Sequence, residues 1–153
     1  MKRIFRYMIM AAASVFIAAG CQNEDLVQID PDEVIVPVLH DPGFPALITI
    51  TPSNQTEEIS FTWDAAHVGF GAQMNYAIEI YLDENGKKSA LSGGVSSTTA
   101  TVKYEDINYA LVYGLGAVPL ETVNVKFCLS AAVGVKKFYS KPISVNIIPT
   151  NAP

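Results

Sequence analysis

From Val123 to Ser130 the chain alternates without a break, with Val123, Val125, Phe127 and Leu129 set against Asn124, Lys126, Cys128 and Ser130. Successive side chains on an extended backbone point to opposite faces, so a period of two marks a half-buried strand and excludes a helix. The same period recurs in Tyr76, Ile78, Ile80 and Leu82 against Ala77, Glu79, Tyr81 and Asp83, and in Ile59, Phe61 and Trp63 against Ser60 and Thr62. Ala100, Val102 and Tyr104 form another inward set, and Ile143, Val145 and Ile147 a last one before Pro149. Asn85-Gly86 accepts the positive φ values of a tight hairpin, so Lys87 to Leu91 is expected to pair back before Gly93-Gly94 breaks the run. About seven short strands separated by turn signals predict an all-β, antiparallel sandwich. One segment departs from the period. Glu105 to Gly114 spaces Ile107, Leu111 and Val112 as a helix face, with acids in its first turn and a glycine at its end. It predicts one short helix crossing between the sheets.

The N-terminus has a different logic. Lys2, Arg3 and Arg6 precede an apolar run from Tyr7 to Ala19, the charge pattern of a secretory signal. The run is shorter than the roughly 20 apolar residues a membrane span requires. Ala18-Ala19-Gly20-Cys21 resembles the lipobox of bacterial lipoproteins, in which the cysteine becomes the mature N-terminus and carries a diacylglyceryl group. Each buried methylene contributes about 0.8 kcal/mol, so two or three acyl chains hold firmly where one binds reversibly. Gln22-Asn23-Glu24-Asp25 resembles the acidic signal that sends Bacteroidetes lipoproteins to the outer face of the outer membrane. Loss of the leader removes three basic residues and moves the formal charge from −5 to −8. So acidic a chain with scattered lysines is a poor partner for nucleic acid.

The organisation expected is therefore a signal peptide over 1–20, a lipid-anchored, acidic, Pro-rich tether over 21–45, a sandwich over 46–149 and a tail over 150–153. Val34 to Leu39 is expected to be a first strand, at an edge because Pro37 has no N–H to give to a ladder. Such a tether, short of the full extension of about 3.1 Å per residue, is expected to hold the domain on the order of 40–50 Å from the lipid.

Chemistry is sparse. His40 and His67 read as solvent-facing loop histidines, and no Gly-x-Ser-x-Gly elbow supplies a nucleophile. Cys128, on the polar phase of its strand, lacks the neighbours of a catalytic thiol, and an acylated Cys21 cannot pair with it. No spacing suits zinc, and Asp83-Glu84-Asn85-Gly86 lacks the alternation of a calcium loop. Gly114-Leu115-Gly116 meets Pro119 where a nucleotide fingerprint needs its third glycine. No enzyme activity and no cofactor are expected. Trp63 shares the phase of Phe61 and is expected in the core, whereas Tyr81 has the outward phase, beside Glu79 and across from Lys126. Tyr81, Tyr109, Tyr113 and Phe138 are the candidate contacts for a glycan or a protein partner.

Taken together, these pieces resemble the N-terminal domain of SusE/SusF-like outer-membrane lipoproteins of Bacteroidetes. The resemblance is carried by Cys21 with its acidic tail, Phe61-Thr62-Trp63 with Ala65-Ala66 and Gly69-Phe70, and the strand Asn75 to Asp83. Asn108, Leu111 and Gly114-Leu115, then Val125-Lys126-Phe127 and Tyr139-Ser140, complete it. It implies an immunoglobulin- or fibronectin-III-like sandwich, anchored in the outer membrane through lipid on Cys21 and displayed at the cell surface. It also implies a non-enzymatic part in uptake of starch-like polysaccharide, next to a TonB-dependent transporter. In that family glycan binding belongs to sandwich modules that follow this one, so a spacer or accessory role is implied here. The alternative class is a protein-interaction or adhesin module without glycan binding.

Overall fold

The structure, a computed structural model, describes residues 28–83 and 86–151. The expected leader, Cys21, the acidic Gln22 to Asp25 and the turn residue Asn85 lie outside the described residues.

The strands are β1 (Val34–Ile35), β2 (Val38–Leu39), β3 (Leu47–Thr49), β4 (Glu58–Asp64), β5 (His67–Val68) and β6 (Asn75–Tyr81). They continue with β7 (Lys88–Ala90), β8 (Thr99–Lys103), β9 (Val123–Val133), β10 (Lys136–Tyr139) and β11 (Ile143–Ile148). One sheet has the order β2-β4-β8, and the other β3-β11-β9-β6-β7, with β10 continuing the β11 side of β9. Among the described residues all strand pairings are antiparallel except β3 with β11, and β1 pairs with β5 alone. Two facing sheets in this order make an immunoglobulin/fibronectin-III-like sandwich. Lys88 to Ala90 pairs back on Glu79 to Tyr81, as the turn signal requires.

Between β8 and β9 the chain changes sheets through α1 (Tyr104–Tyr109), which runs into a wider turn at Ala110–Gly114. There the Leu115 N–H donates to the Ala110 carbonyl at 2.9 Å, one residue beyond α-helical reach. Ile107 and Leu111 are buried, as the helical spacing predicts, and Ala110 and Leu115 join them.

The core is built from the inward phases. Phe61, Ile78, Ile80, Val125, Phe127 and Leu129 are fully buried, and Trp63 retains 4% exposure. Burying such side chains contributes about 1.5–3 kcal/mol each. Phe44 lies 6.0 Å from Phe61 and 5.1 Å from Phe127, with Phe61 and Phe127 5.5 Å apart, so three rings bridge the sheets.

Three features differ from the sequence-based expectations. Val34 to Leu39 is two short strands, because pairing is interrupted at Val36 and a buried Pro37, which has no N–H to give, and the chain pairs first with β5 and then with β4. With Phe44 in the ring cluster and Ile29 and Val34 packed on the core, the sandwich takes in much of the stretch assigned to the tether. The third concerns the outer face of the larger sheet. Glu79, Cys128 and Ser130, all on the polar phase, are 7%, 2% and 2% exposed. The reason is convergence from both flanks: Lys88 on β7 and Tyr139 on β10 reach across β6 and β9 until Nζ lies 3.5 Å from the ring centroid. The lysine stem and tyrosine ring cover what lies between.

The sandwich has two poles. Trp63, near the end of β4, touches Tyr76, near the start of β6, with ring centroids 5.5 Å apart. Tyr76 in turn opposes Ala131, near the end of β9. Chain segment 28–35 joins this same pole through β1, which pairs with the link between β4 and β6. At the opposite pole lie α1, the start of β9 and the end of β11, where Asn108 holds Thr150. The chain thus enters the sandwich at one pole and leaves it at the other.

Candidate functional site

Two groups of exposed aromatic side chains stand on this frame. The first is at the C-terminal pole. Tyr109 and Tyr113, 65% and 59% exposed, are one helical turn apart, and their rings meet at 4.9 Å with planes inclined by 43°. Beside them is a cleft of about 220 Å³, lined by Ser89, Leu91, Asp106, Tyr109 and Gly114 among others. Small-molecule pockets usually run to roughly 300–1,000 Å³, so this cleft suits only the edge of a ligand. A ring pair beside a carboxylate and a hydroxyl can stack a sugar C–H face and accept its hydroxyl protons.

The second group is the outer face of the larger sheet. Tyr81 is half-buried directly opposite Lys126 on β9 and Lys88 on β7. Lys126 Nζ bonds Asp83 at 2.8 Å, and that hydrogen bond, more than the accompanying charge attraction, raises the lysine pKa. Lys88 Nζ is 5.6 Å from the Tyr81 centroid as well as 3.5 Å from Tyr139. Lys137 pairs with the buried Glu79 at 3.7 Å. Burial pushes the Cys128 thiol up to about 11, against the opposing effect of Lys88. At neutral pH it is protonated and covered, so it is no nucleophile.

The candidate residues therefore part company. Tyr109 and Tyr113 come together; Tyr81 stands on a different element and the outer face. Phe138 is corrected: it opposes Ala131 on the inward phase of β10, is half-buried and packs against the core. Its neighbour Tyr139, 40% exposed, takes the outward position. Sequence reasoning missed Tyr139 and Lys88. Tyr139 takes the phase opposite to Phe138, so placing one on the inward face places the other outside, whereas nothing local marked Lys88.

The groups that suggest catalysis remain scattered. His40 Nε2 lies 3.0 Å from Asp64 in an exposed pair, while His67 Nδ1 accepts the Gly69 N–H. Among the described residues no group of three His, Cys, Asp or Glu side chains could hold a metal ion. No helix among them is long and apolar enough to cross a membrane.

Fold and surface thus define an immunoglobulin/fibronectin-III-like sandwich module with its exposed aromatic groups on one pole and one sheet face. More particularly, the chain belongs to the SusE outer membrane protein family, whose model matches residues 23–129. Membership implies an outer-membrane protein of a starch-utilisation system, in a family of typically non-catalytic modules. The chain is also similar to a solved structure, an Fn3-like protein from Clostridium thermocellum, with 15% identity over 78% of this chain and 96% of the other. Its TM-score is 0.36, so the fold assignment here rests on strand order and not on that likeness. No curated protein matches the chain.

Proposed function

We propose that this is a non-enzymatic, surface-exposed module, anchored in the outer membrane by lipid on Cys21, that acts as a spacer in a glycan-uptake system beside a TonB-dependent transporter. The observation that carries it is the placement of segment 28–35 and of Thr150 at opposite poles. The eleven residues of β9 at about 3.3 Å each make the body about 35 Å long, so a module held at its N-terminal pole lifts its other pole by that distance. Affinity electrophoresis of the lipid-free Cys21→Ser chain in starch, glycogen and pullulan gels tests it. The spacer reading expects unchanged mobility; retardation lost on Tyr109→Ala and Tyr113→Ala together would replace it with direct glycan capture by the ring pair.

A second reading, a protein-interaction module, is favoured by exposed apolar side chains at the C-terminal pole. Val118 and Leu120, 53% and 66% exposed, share that pole with Tyr109 and Tyr113. Co-purification of the transporter from crosslinked, solubilised membranes, lost when Leu120 and Tyr113 become serine, would support docking there. Recovery of the protein alone would count against it.

A further inference from the structure

The N-terminal pole carries its own exposed apolar side chains. Ile35 and Val36 are 62% and 48% exposed, and Val135, at the tip of the β9–β10 hairpin, is 101% exposed. A lone exposed valine needs no explanation, but this one sits on a projecting turn. The turn has Gly134 at φ +57° and is followed directly by Lys136 and Lys137, both exposed. The hairpin and the incoming chain share one pole: Ala132 opposes Asn75 at the start of β6, and β1 pairs with the β5 link that leads there.

The length of chain outside the described residues limits how far this pole can stand from a lipid at Cys21. Ile29 already packs on the core, and seven residues separate it from Cys21. Fully extended, that stretch spans at most about 28 Å, well short of the reach expected when residues up to Pro45 are counted as tether. Resting on the lipid-anchor reading above, we infer that the tip of the β9–β10 hairpin, at the N-terminal pole, meets an anionic lipid surface, with Val135 entering the headgroup layer and Lys136 meeting lipid phosphates. Asp30, Asp32 and Glu33 share this pole and oppose an anionic surface, so the hairpin tip makes the contact and not the pole as a whole. Lys137 also keeps its pairing with Glu79, which leaves Lys136 as the freer cation.

The full, acylated chain in a Cys128→Ala background tests this on vesicles of phosphatidylcholine with a minority of phosphatidylglycerol. An environment-sensitive fluorophore is attached at Val135→Cys or, at the other pole, at Leu120→Cys; neither side chain is buried. The expected result is a blue shift at position 135 and none at 120, with the shift at 135 lost in Lys136→Glu while the protein still sediments with vesicles. Sedimentation without a shift at 135 would overturn the inference and leave the anchor standing. A shift at both positions would mean a body lying flat, and would overturn it too. Failure to sediment would overturn the anchor reading and this inference with it.

Discussion

The side-chain amide of Asn108 brackets the backbone of Thr150, its Oδ1 accepting the Thr150 N–H at 2.8 Å and its Nδ2 donating to the Thr150 carbonyl at 3.2 Å. Both residues are buried, 42 positions apart in sequence. One amide thereby closes α1 onto the segment leaving β11. Asn108→Ala leaves two backbone groups of a buried segment unpaired and is expected to cost about 1–3 kcal/mol. Asn108→Asp keeps the acceptor, loses the donor and buries a charge, so it is expected to cost at least as much. Chemical denaturation checks both, and an unchanged midpoint in Asn108→Ala would refute the clamp.

Trp63 offers a second comparison. Its ring is core, yet Nε1 has no hydrogen-bond partner among the described residues. Trp63→Ala should cost about 3–5 kcal/mol through the cavity it leaves. Trp63→Phe removes the unpaired N–H along with part of the ring, so those effects offset and the loss is expected to stay under about 1.5 kcal/mol. Equal melting temperatures for the alanine and phenylalanine variants would contradict this.

Leu120 holds φ at +67°, where bulky residues are outliers, and its N–H donates to the Pro149 carbonyl at 2.7 Å. Since its side chain is mostly exposed, little burial is lost on truncation. Leu120→Gly is expected to stabilise the fold by about 1 kcal/mol through relief of that backbone cost. A fall in melting temperature would show that the leucine makes a stabilising contact.

Cys128 links stability to pH. Its folded pKa is raised from 9.0 to about 11 by burial, so between those values the unfolded chain loses a proton that the folded chain keeps. Stability from this group is complete below about pH 9 and falls as pH rises through about 11. Lys126, raised by Asp83, adds a loss of the same sign above its ordinary value of 10.5. Melting temperatures of Cys128→Ala and the unaltered cysteine, compared from neutral pH to pH near 10.5, should converge or cross in that direction. In a Cys21→Ser chain Cys128 is the sole thiol, and it should resist alkylation at pH near 8 until the protein is unfolded.

Much of the fold was legible from local pattern. The inward phases of β4, β6, β9 and β11, the hairpin return onto β6 and the helix with Ile107 and Leu111 inside all follow from side-chain geometry along a few residues. Of the candidate contacts, Tyr109 and Tyr113 were named singly from the sequence; that their rings meet follows from their spacing of four on helical backbone. Phe138 was misjudged because a short strand offers two phases, and only its pairing opposite Ala131 chooses between them.

What the sequence determined by itself, then, was which residues of each strand share a face, since a period of two is a property of the extended backbone wherever it lies. It also carried the family resemblance and the acidic charge. Only the tertiary structure decided that Phe44 belongs to the core and that Glu79 and Cys128 are covered on the polar phase. It also decided that the chain enters and leaves at opposite poles. Each of these depends on segments tens of residues apart closing over one another, and burial of that kind is a property of the packed pair, absent from either segment alone.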